Sequence, residues 1–253
     1  MSNAKIKLIR KLAQKKYREE FGLFVAEGLR LCEPALNCAE IEFGFYTESF
    51  LKSARQVELI SRLEKVTTLE KISDNEFNKI SDTETPQGIL LVIRQNLSSP
   101  EKVAGKNLII ALDGVKDPGN VGTILRTAEA FDCGVILLDG AVDIFNSKVV
   151  RSSMGAIFYA KFTKMSCENF LALMKENNFE ITAAVLDSTA EKYFNHDFTK
   201  KSAIVFGNEA EGVSPKIFNT AKKIFIPMLG TAESLNVAMS AGIIISEAIR
   251  QNF

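Results

Sequence analysis

The sequence predicts an α/β protein of two domains, the second built on a parallel sheet with helices covering both faces. Three observations predict it. Short runs that are strongly apolar, Leu108 to Leu112, Val135 to Leu138 and Ser202 to Phe206, alternate with helical stretches, as expected of strands buried on both sides. From Ile224 to Arg250 a further apolar strand leads through a polar turn, Gly230 to Ser234, into a helix that is apolar on nearly every face. Such a helix is normally buried rather than laid on a surface. Finally, a polar segment with a proline and a glycine, residues 98–106, divides this half from an earlier one and reads as a linker.

The elements follow in order. Residues 1–97 read as a small α/β domain: a basic helix near Ile6 to Gln14, a strand near Leu23 to Ala26, a helix at Leu29 to Leu36 and a strand at Ile41 to Tyr46. A helix over Phe50 to Leu63 follows. Ser73 with Glu76 three residues on has the form of a capping box. Gly88 to Ile93 closes the domain as a strand. Residues 107–253 form the second domain. Its helices are expected at Val121 to Phe131, around Lys148 to Arg151, at Cys167 to Asn177, at Pro215 to Thr220 and from Leu235 onward. Its remaining strands are expected at Glu180 to Leu186 and Ile224 to Met228.

Composition excludes several classes. With 46% hydrophobic and 25% charged residues the chain reads as an ordinary soluble protein able to bury a core. Its apolar runs are too short to span a bilayer, and the charged N-terminus lacks the core of a signal peptide, so the expected location is cytoplasmic. Cys32, Cys38, Cys133 and Cys167 form neither a CxxC pair nor a zinc spacing and read as reduced thiols; no metal is expected. His196, the lone histidine, lies among polar residues and reads as exposed, outside acid–base or metal chemistry. Net charge is zero, yet Lys5, Lys7, Arg10, Lys11, Lys15, Lys16 and Arg18 precede any acidic residue. That arm, with Lys15, Lys16 and Arg18 at its end, is suited to RNA phosphates. It reads equally well as an amphipathic helix burying Ile6, Leu8, Ile9 and Leu12.

Ligands of an open parallel sheet bind outside the carboxyl ends of its strands. Three such ends carry unusual loops: Asp113 to Gly122, leading into a helix with Arg126; Gly207 to Ser214; and Gly230 to Asn236. The first lacks both the G-x-G-x-x-G spacing and the G-K-[ST] ending of phosphate-binding loops. Its Pro118, Gly119 and Gly122 also suit a tight strand–helix connection. Arg126 asks for more, because an arginine in an apolar helix needs an anionic partner or a cleft. In the second loop Gly207 and Gly212 let backbone approach a bound molecule closely, with Asn208 and Glu209 between them.

The segments LDGVKDPGNVGTILRTAEAF, IVFGNEAEGVS and IPMLGTAESLNVAMSAGIIISEAIR, in this order, resemble the three motifs of SpoU-type RNA ribose 2′-O-methyltransferases of the SPOUT superfamily. Val150 to Ala156 also resembles that family. The earlier part, with KKYREEFGLFVAEGLRL and PQGILLVI, is similar to a substrate-binding domain like ribosomal proteins that bind kinked RNA. The resemblance implies a C-terminal deep trefoil knot, S-adenosylmethionine held by the second and third loops, and a homodimer. It implies backbone contacts to the cofactor from Gly207, Ile226 and Leu235, with Leu186 and Met228 lining the adenine pocket and Asn208 and Gly212 beside them. It makes Arg126 the catalytic arginine, supported by Asn120, Glu209, Ser234 and Asn236, and adds Arg151 to the expected RNA contacts.

The implied chemistry is in-line attack of a ribose 2′-oxygen on a sulfonium methyl. A guanidinium stays protonated, so Arg126 is read as an electrostatic clamp and not as a base. Asp132–Cys133 replaces a glycine common in the family, Asn208 a small residue and Ala238 a serine. Ribosomal RNA is the leading substrate because of the extra domain. The alternatives are transfer RNA, or an RNA-binding assembly protein that keeps the fold without turnover.

Overall fold

The computed structural model describes Ser2–Asn252 and divides the chain into two units. One contains the residues up to Asn96 together with Asp143–Tyr159, and the other Leu97–Val142 with Ala160 onward. The first unit opens with α1 (Ser2–Leu12) and α2 (Lys15–Phe21), then β1 (Leu23–Glu27), α3 (Leu29–Cys38) and β2 (Ile41–Thr47). After a 3-10 turn come α4 (Ala54–Leu63), β3 (Thr68–Ile72), α5 (Asp74–Asn78) and β4 (Ile89–Arg94). The four strands lie in the order β1-β4-β2-β3, antiparallel except for the β2–β3 pair. Ile9 and Leu12 of α1 join Phe43, Phe45, Phe77 and Leu90 in one buried cluster, so the amphipathic reading of the basic arm holds. The capping box is present: Ser73 Oγ accepts from the Glu76 N–H and the Glu76 carboxylate accepts from the Ser73 N–H. β3 was not anticipated. Its half-exposed TLEKI pattern lacks the apolar run of a central strand, because it sits at the sheet edge.

The second unit begins with α6 (Pro100–Ala104), β5 (Leu108–Asp113), α7 (Pro118–Ala130) and β6 (Gly134–Leu137). Residues 98–106 are therefore not a free linker. Ser99 caps α6, and Val103 and Ala104 are buried in the core of the unit. The chain then enters the first unit with α8 (Ser147–Ser152) and a 3-10 turn, Ala156–Phe158. It returns with β7 (Lys161–Lys164), α9 (Cys167–Glu176), β8 (Glu180–Ala184), β9 (Glu191–Lys192) and β10 (Ser202–Gly207). After these come α10 (Pro215–Thr220), β11 (Lys222–Phe225) and α11 (Val237–Arg250). The seven strands, ordered β7-β6-β5-β10-β8-β11-β9, are all parallel. The central β5, β10 and β6 are buried almost throughout, the reason their sequences read as unbroken apolar runs. Edge strands β7 and β9 are short and charged, and for that reason escaped detection. Among the described residues no helix is long and apolar enough to cross a membrane.

The excursion of Asp143–Tyr159 into the first unit rests on specific contacts. Phe24 of β1 packs on the rings of Phe145 and Phe158, with centroids 5.0 and 6.3 Å apart. Gly155 adopts φ +97°, and a Cβ there would press on the Arg30 carbonyl and Pro34, so only glycine allows this approach to α3. Arg18 is the main polar tie. It is 4% exposed, pairs with Asp143 at 2.7 Å, and donates to the carbonyls of Leu12 and Ala13 at 2.8 Å each. Arg18 was expected to meet RNA; its donors instead close the α1–α2 corner and hold the excursion, so that expectation is corrected.

Removing one member of a buried ion pair leaves the other uncompensated and typically costs about 3–5 kcal/mol. Arg18→Ala is expected to lower the unfolding free energy by that amount, which at a slope of about 3 kcal/mol/M moves the urea midpoint down by about 1–2 M. An unchanged midpoint would show that the pair contributes little.

Candidate active site

The carboxyl ends of β8, β10 and β11 open on a cavity of about 510 Å³ in the second unit. Its floor is apolar, formed by Phe206, Ile224, Ile226 and Ile244, with Met228 and Leu235 on the wall. All seven residues expected to hold a cofactor, Leu186, Gly207, Asn208, Gly212, Ile226, Met228 and Leu235, line it. The strand ends at Phe225, not at Met228, so Ile226 and Met228 lie in irregular backbone whose polar groups are not committed to a strand ladder. Leu186 is 74% exposed, an apolar side chain left open at the rim.

The loop after β10 folds back on itself: Asn208 and Gly212 exchange N–H···O bonds of 2.9 Å in both directions. A Cβ on Gly207 would overlap the backbone of Gly212 and Val213, which explains glycine there. Asn208 secures the loop by donating to the Gly114 carbonyl at 2.9 Å and accepting from the N–H groups of Ala210 and Glu211. The loop after β5 is tied to the same place, for the Asp113 carboxylate accepts from the Ser214 N–H at 2.6 Å.

At the mouth, side chains from the first turn of α7, the loop after β10 and the cap of α11 are joined. Asn236 caps α11, its Oδ1 accepting from Ala238 and Met239 N–H, which turns its amide nitrogen outward. That nitrogen donates to Asn120 Oδ1 at 2.9 Å, and Asn120 Nδ2 then donates to Glu209 at 3.0 Å. Each amide orientation is thus fixed by its neighbour. Asn120 is itself placed by Asp117, which caps α7 and accepts the Asn120 N–H at 2.8 Å. Helix α11 accordingly starts two residues later than its apolar pattern implies, and the cap is a site residue. Ser234 also lines the cavity, as expected.

Charge at the rim is one-sided. Asp187, Glu209 and Glu211 line the cavity and no lysine or arginine does. Hydrogen bonds from the Thr189 side chain and backbone hold the Asp187 carboxyl below its ordinary range, so it stays ionised near neutrality.

Arg126 does not join this group. It stands exposed on α7, six residues or about one and two-thirds turns beyond Asn120, with no ionic partner among the described residues. Lys15 and Lys16 are exposed as expected, Lys15 lying 3.7 Å from Glu19. Arg151 is partly spent on Asp82, at 3.0 Å. His196 is a correction: it is 2% exposed, bonded to the nearby Glu191 at 2.8 Å and, across the sheet, to Thr182 of β8 at 3.2 Å, a partner its polar neighbours in sequence do not announce. It lines no part of the cavity. Among the described residues no group of three or more His, Cys, Asp or Glu is placed to hold a metal ion.

Comparison with known proteins supplies relatives. Residues 107–246 match the SpoU rRNA Methylase family and residues 3–91 an MRM3-like substrate binding domain. The 23S rRNA (guanosine(2553)-2'-O)-methyltransferase RlmP of Bacillus subtilis is 32% identical over 245 residues, 96% of this chain and 95% of that protein. A tRNA (guanosine(18)-2'-O)-methyltransferase of Aquifex aeolicus is 38% identical over 152 residues, covering 58% of this chain and 70% of that one. The crystal structure of an AdoMet-bound rRNA methyltransferase from Sinorhizobium meliloti superposes with a TM-score of 0.89 at 30% identity, covering 100% of this chain and 97% of that one.

Gly207→Ala would force the 208–213 loop away from β10. Overpacking of this kind costs about 1–3 kcal/mol. The expected result is faster amide hydrogen exchange at Asn208 and Gly212 than elsewhere in the unit; exchange unchanged at these two amides would contradict the close approach.

Proposed function

The chain belongs to the SpoU rRNA Methylase family, and from that premise we propose that it methylates ribose 2′-hydroxyls of ribosomal RNA with S-adenosylmethionine, as a homodimer. The observation that carries the reading is the Asn236–Asn120–Glu209 chain at the mouth of a cavity rimmed only by carboxylates. The cavity suits the cofactor. Its apolar floor fits an adenine ring, the backbone around Gly207 and Ile226 can meet that ring's polar edge, and Asp187, Glu209 and Glu211 favour a sulfonium over an anion. Bound there, S-adenosylmethionine supplies an electrophilic methyl group.

The chain's own residues then have separate tasks. A sugar hydroxyl is a poor nucleophile and needs alignment and a stabilised developing charge. Asn120 and Asn236 each keep a second amide hydrogen for the ribose, in orientations their mutual bonds already fix. Glu209 holds Asn120. Ser234 offers a hydroxyl at the same mouth. Arg126 clamps the neighbouring phosphate and stabilises the alkoxide, while water or that phosphate takes the proton.

Because Arg126 is exposed on α7 and outside the cavity of its own chain, we assign it to the cavity of a second copy. Met239, an apolar side chain left 59% exposed on α11, supports a face covered by that copy. A parallel sheet, the self-bonded 208–213 loop and the order of the three motifs support the knotted path expected of the family. Ribosomal RNA is preferred over transfer RNA because residues 3–91 match a substrate binding domain and the Bacillus subtilis rRNA relative aligns over 96% of this chain, whereas the Aquifex tRNA relative aligns over 58%.

Calorimetry with S-adenosylmethionine and mass-spectrometric mapping of ribose methylation test the reading; absence of cofactor uptake would leave only an RNA-binding module. Arg126→Ala is expected to keep cofactor affinity while turnover falls about 10²–10³-fold. Asn236→Asp keeps the helix cap but loses the donor to Asn120, and should also be inactive. Mixing the two inactive variants should restore about a quarter of wild-type turnover if each site draws on both copies. No restoration after verified subunit exchange would assign Arg126 to its own chain.

A further inference from the structure

The first unit holds a second, smaller cavity of about 230 Å³, to which nothing in the proposed methyl transfer assigns a role. Its floor is apolar: Ile9, Leu12 and Ile80 are buried, with Val25 and Phe145 beside them. Two acidic residues line it, and both are consumed within the fold. Glu27 accepts from the hydroxyls of Ser81 and Thr83 at 2.6 and 2.7 Å and from the Asp82 N–H at 3.2 Å. Asp82 accepts from Ser147 at 2.6 Å and Arg151 at 3.0 Å.

What is left uncommitted at the rim is positive. Arg10 and Lys79 are exposed and line the cavity; Arg10 Nε reaches the Lys79 carbonyl at 3.3 Å, and neither forms an ion pair with a carboxylate among the described residues, the Glu76 carboxylate near Lys79 being held by Ser73. Arg151 keeps donors beyond its bond to Asp82. A bare anion would leave the apolar floor empty, and an apolar molecule would leave the cations without a counter-charge. A planar heterocycle linked to phosphate satisfies both.

We propose that this cavity receives one unpaired nucleotide of the substrate RNA, its base on the apolar floor and its flanking phosphates on Arg10 and Lys79. Single-stranded RNA is read in this way, by bases turned out of the stack into pockets while cations track the backbone. The assignment deepens the reading of the protein as an RNA modifier and depends on it. It also relocates recognition: Phe145, Ser147 and Arg151 lie outside the residues 3–91 that match a substrate-binding domain, within the stretch 107–246 that matches the methylase. The recognition cleft is built by both parts of the sequence.

The test uses the full chain and a single-stranded RNA of about twelve nucleotides and mixed sequence, bound over a salt series, with S-adenosylmethionine calorimetry in parallel. Ala13 is exposed at the rim, so Ala13→Trp plugs the cavity from outside. It should weaken RNA binding about tenfold and leave the salt slope unchanged, as loss of a base contact requires. Arg10→Ala with Lys79→Ala should instead reduce the slope of log K against log salt by about 1.4, roughly 0.7 per phosphate contact in a single strand. Both variants should bind the cofactor as the parent does and keep the parent's amide-exchange protection in β1, β2 and β4, which excludes misfolding of either unit. Unchanged RNA affinity in the plugged variant, with ribose methylation by the parent intact, would overturn the cleft and leave the proposed reaction standing. Absence of both cofactor uptake and methylation in the parent would overturn the reaction itself.

Discussion

Two side-chain hydrogen bonds, Asn236 to Asn120 and Asn120 to Glu209, join three segments that follow different strands of one sheet. Everything at the mouth of the larger cavity is referred to them. Either amide alone could rotate by half a turn and present oxygen in place of nitrogen. The α11 cap prevents this at Asn236, because its oxygen is already engaged by two backbone N–H groups. The constraint then passes to Asn120 and ends on a carboxylate, which can only accept. A polarity is thereby set from a helix terminus to an acid, over residues 116 and 89 positions apart in sequence. Preorganisation of this sort costs nothing at the moment of reaction, since no dipole has to turn.

Much of the second unit was legible, because its central strands are buried on both faces and carry the apolar runs that burial demands. The cavity residues were legible for another reason: they fall in loops where glycine, asparagine and acids occur between such runs, in a fixed order. What escaped has physical causes. β3, β7 and β9 are edge strands whose charged faces hide any period. His196 looked exposed because its neighbours in sequence are polar, whereas its partners Thr182 and Glu180 come from another strand. Arg18 looked like an RNA contact for the same reason; its counter-ion Asp143 is 125 residues away. Local composition cannot register a partner of that kind.

The two cavities divide the work by chemistry. The larger is rimmed by carboxylates and floored with apolar side chains, a site for a cation with an aromatic part. The smaller has its acids tied down and its bases open, a site for an anion with an aromatic part. Opposite charges at the two rims disfavour each proposed ligand at the other's site. Sequence composition conceals this division, since the charges sum to zero over the whole chain.

The passage of Asp143–Tyr159 into the first unit has a consequence for synthesis of the protein. A nascent chain that has emerged only as far as Asn96 has its four-stranded sheet but no cover for Phe24, and Arg18 has no counter-ion. Those contacts are completed only when Tyr159 is outside the ribosome, by which point five of the seven strands of the second sheet, β7 to β11, have still to emerge. Strictly sequential, one-at-a-time maturation is therefore at odds with this chain order, and the early segment emerges with Phe24 and Arg18 still lacking these partners.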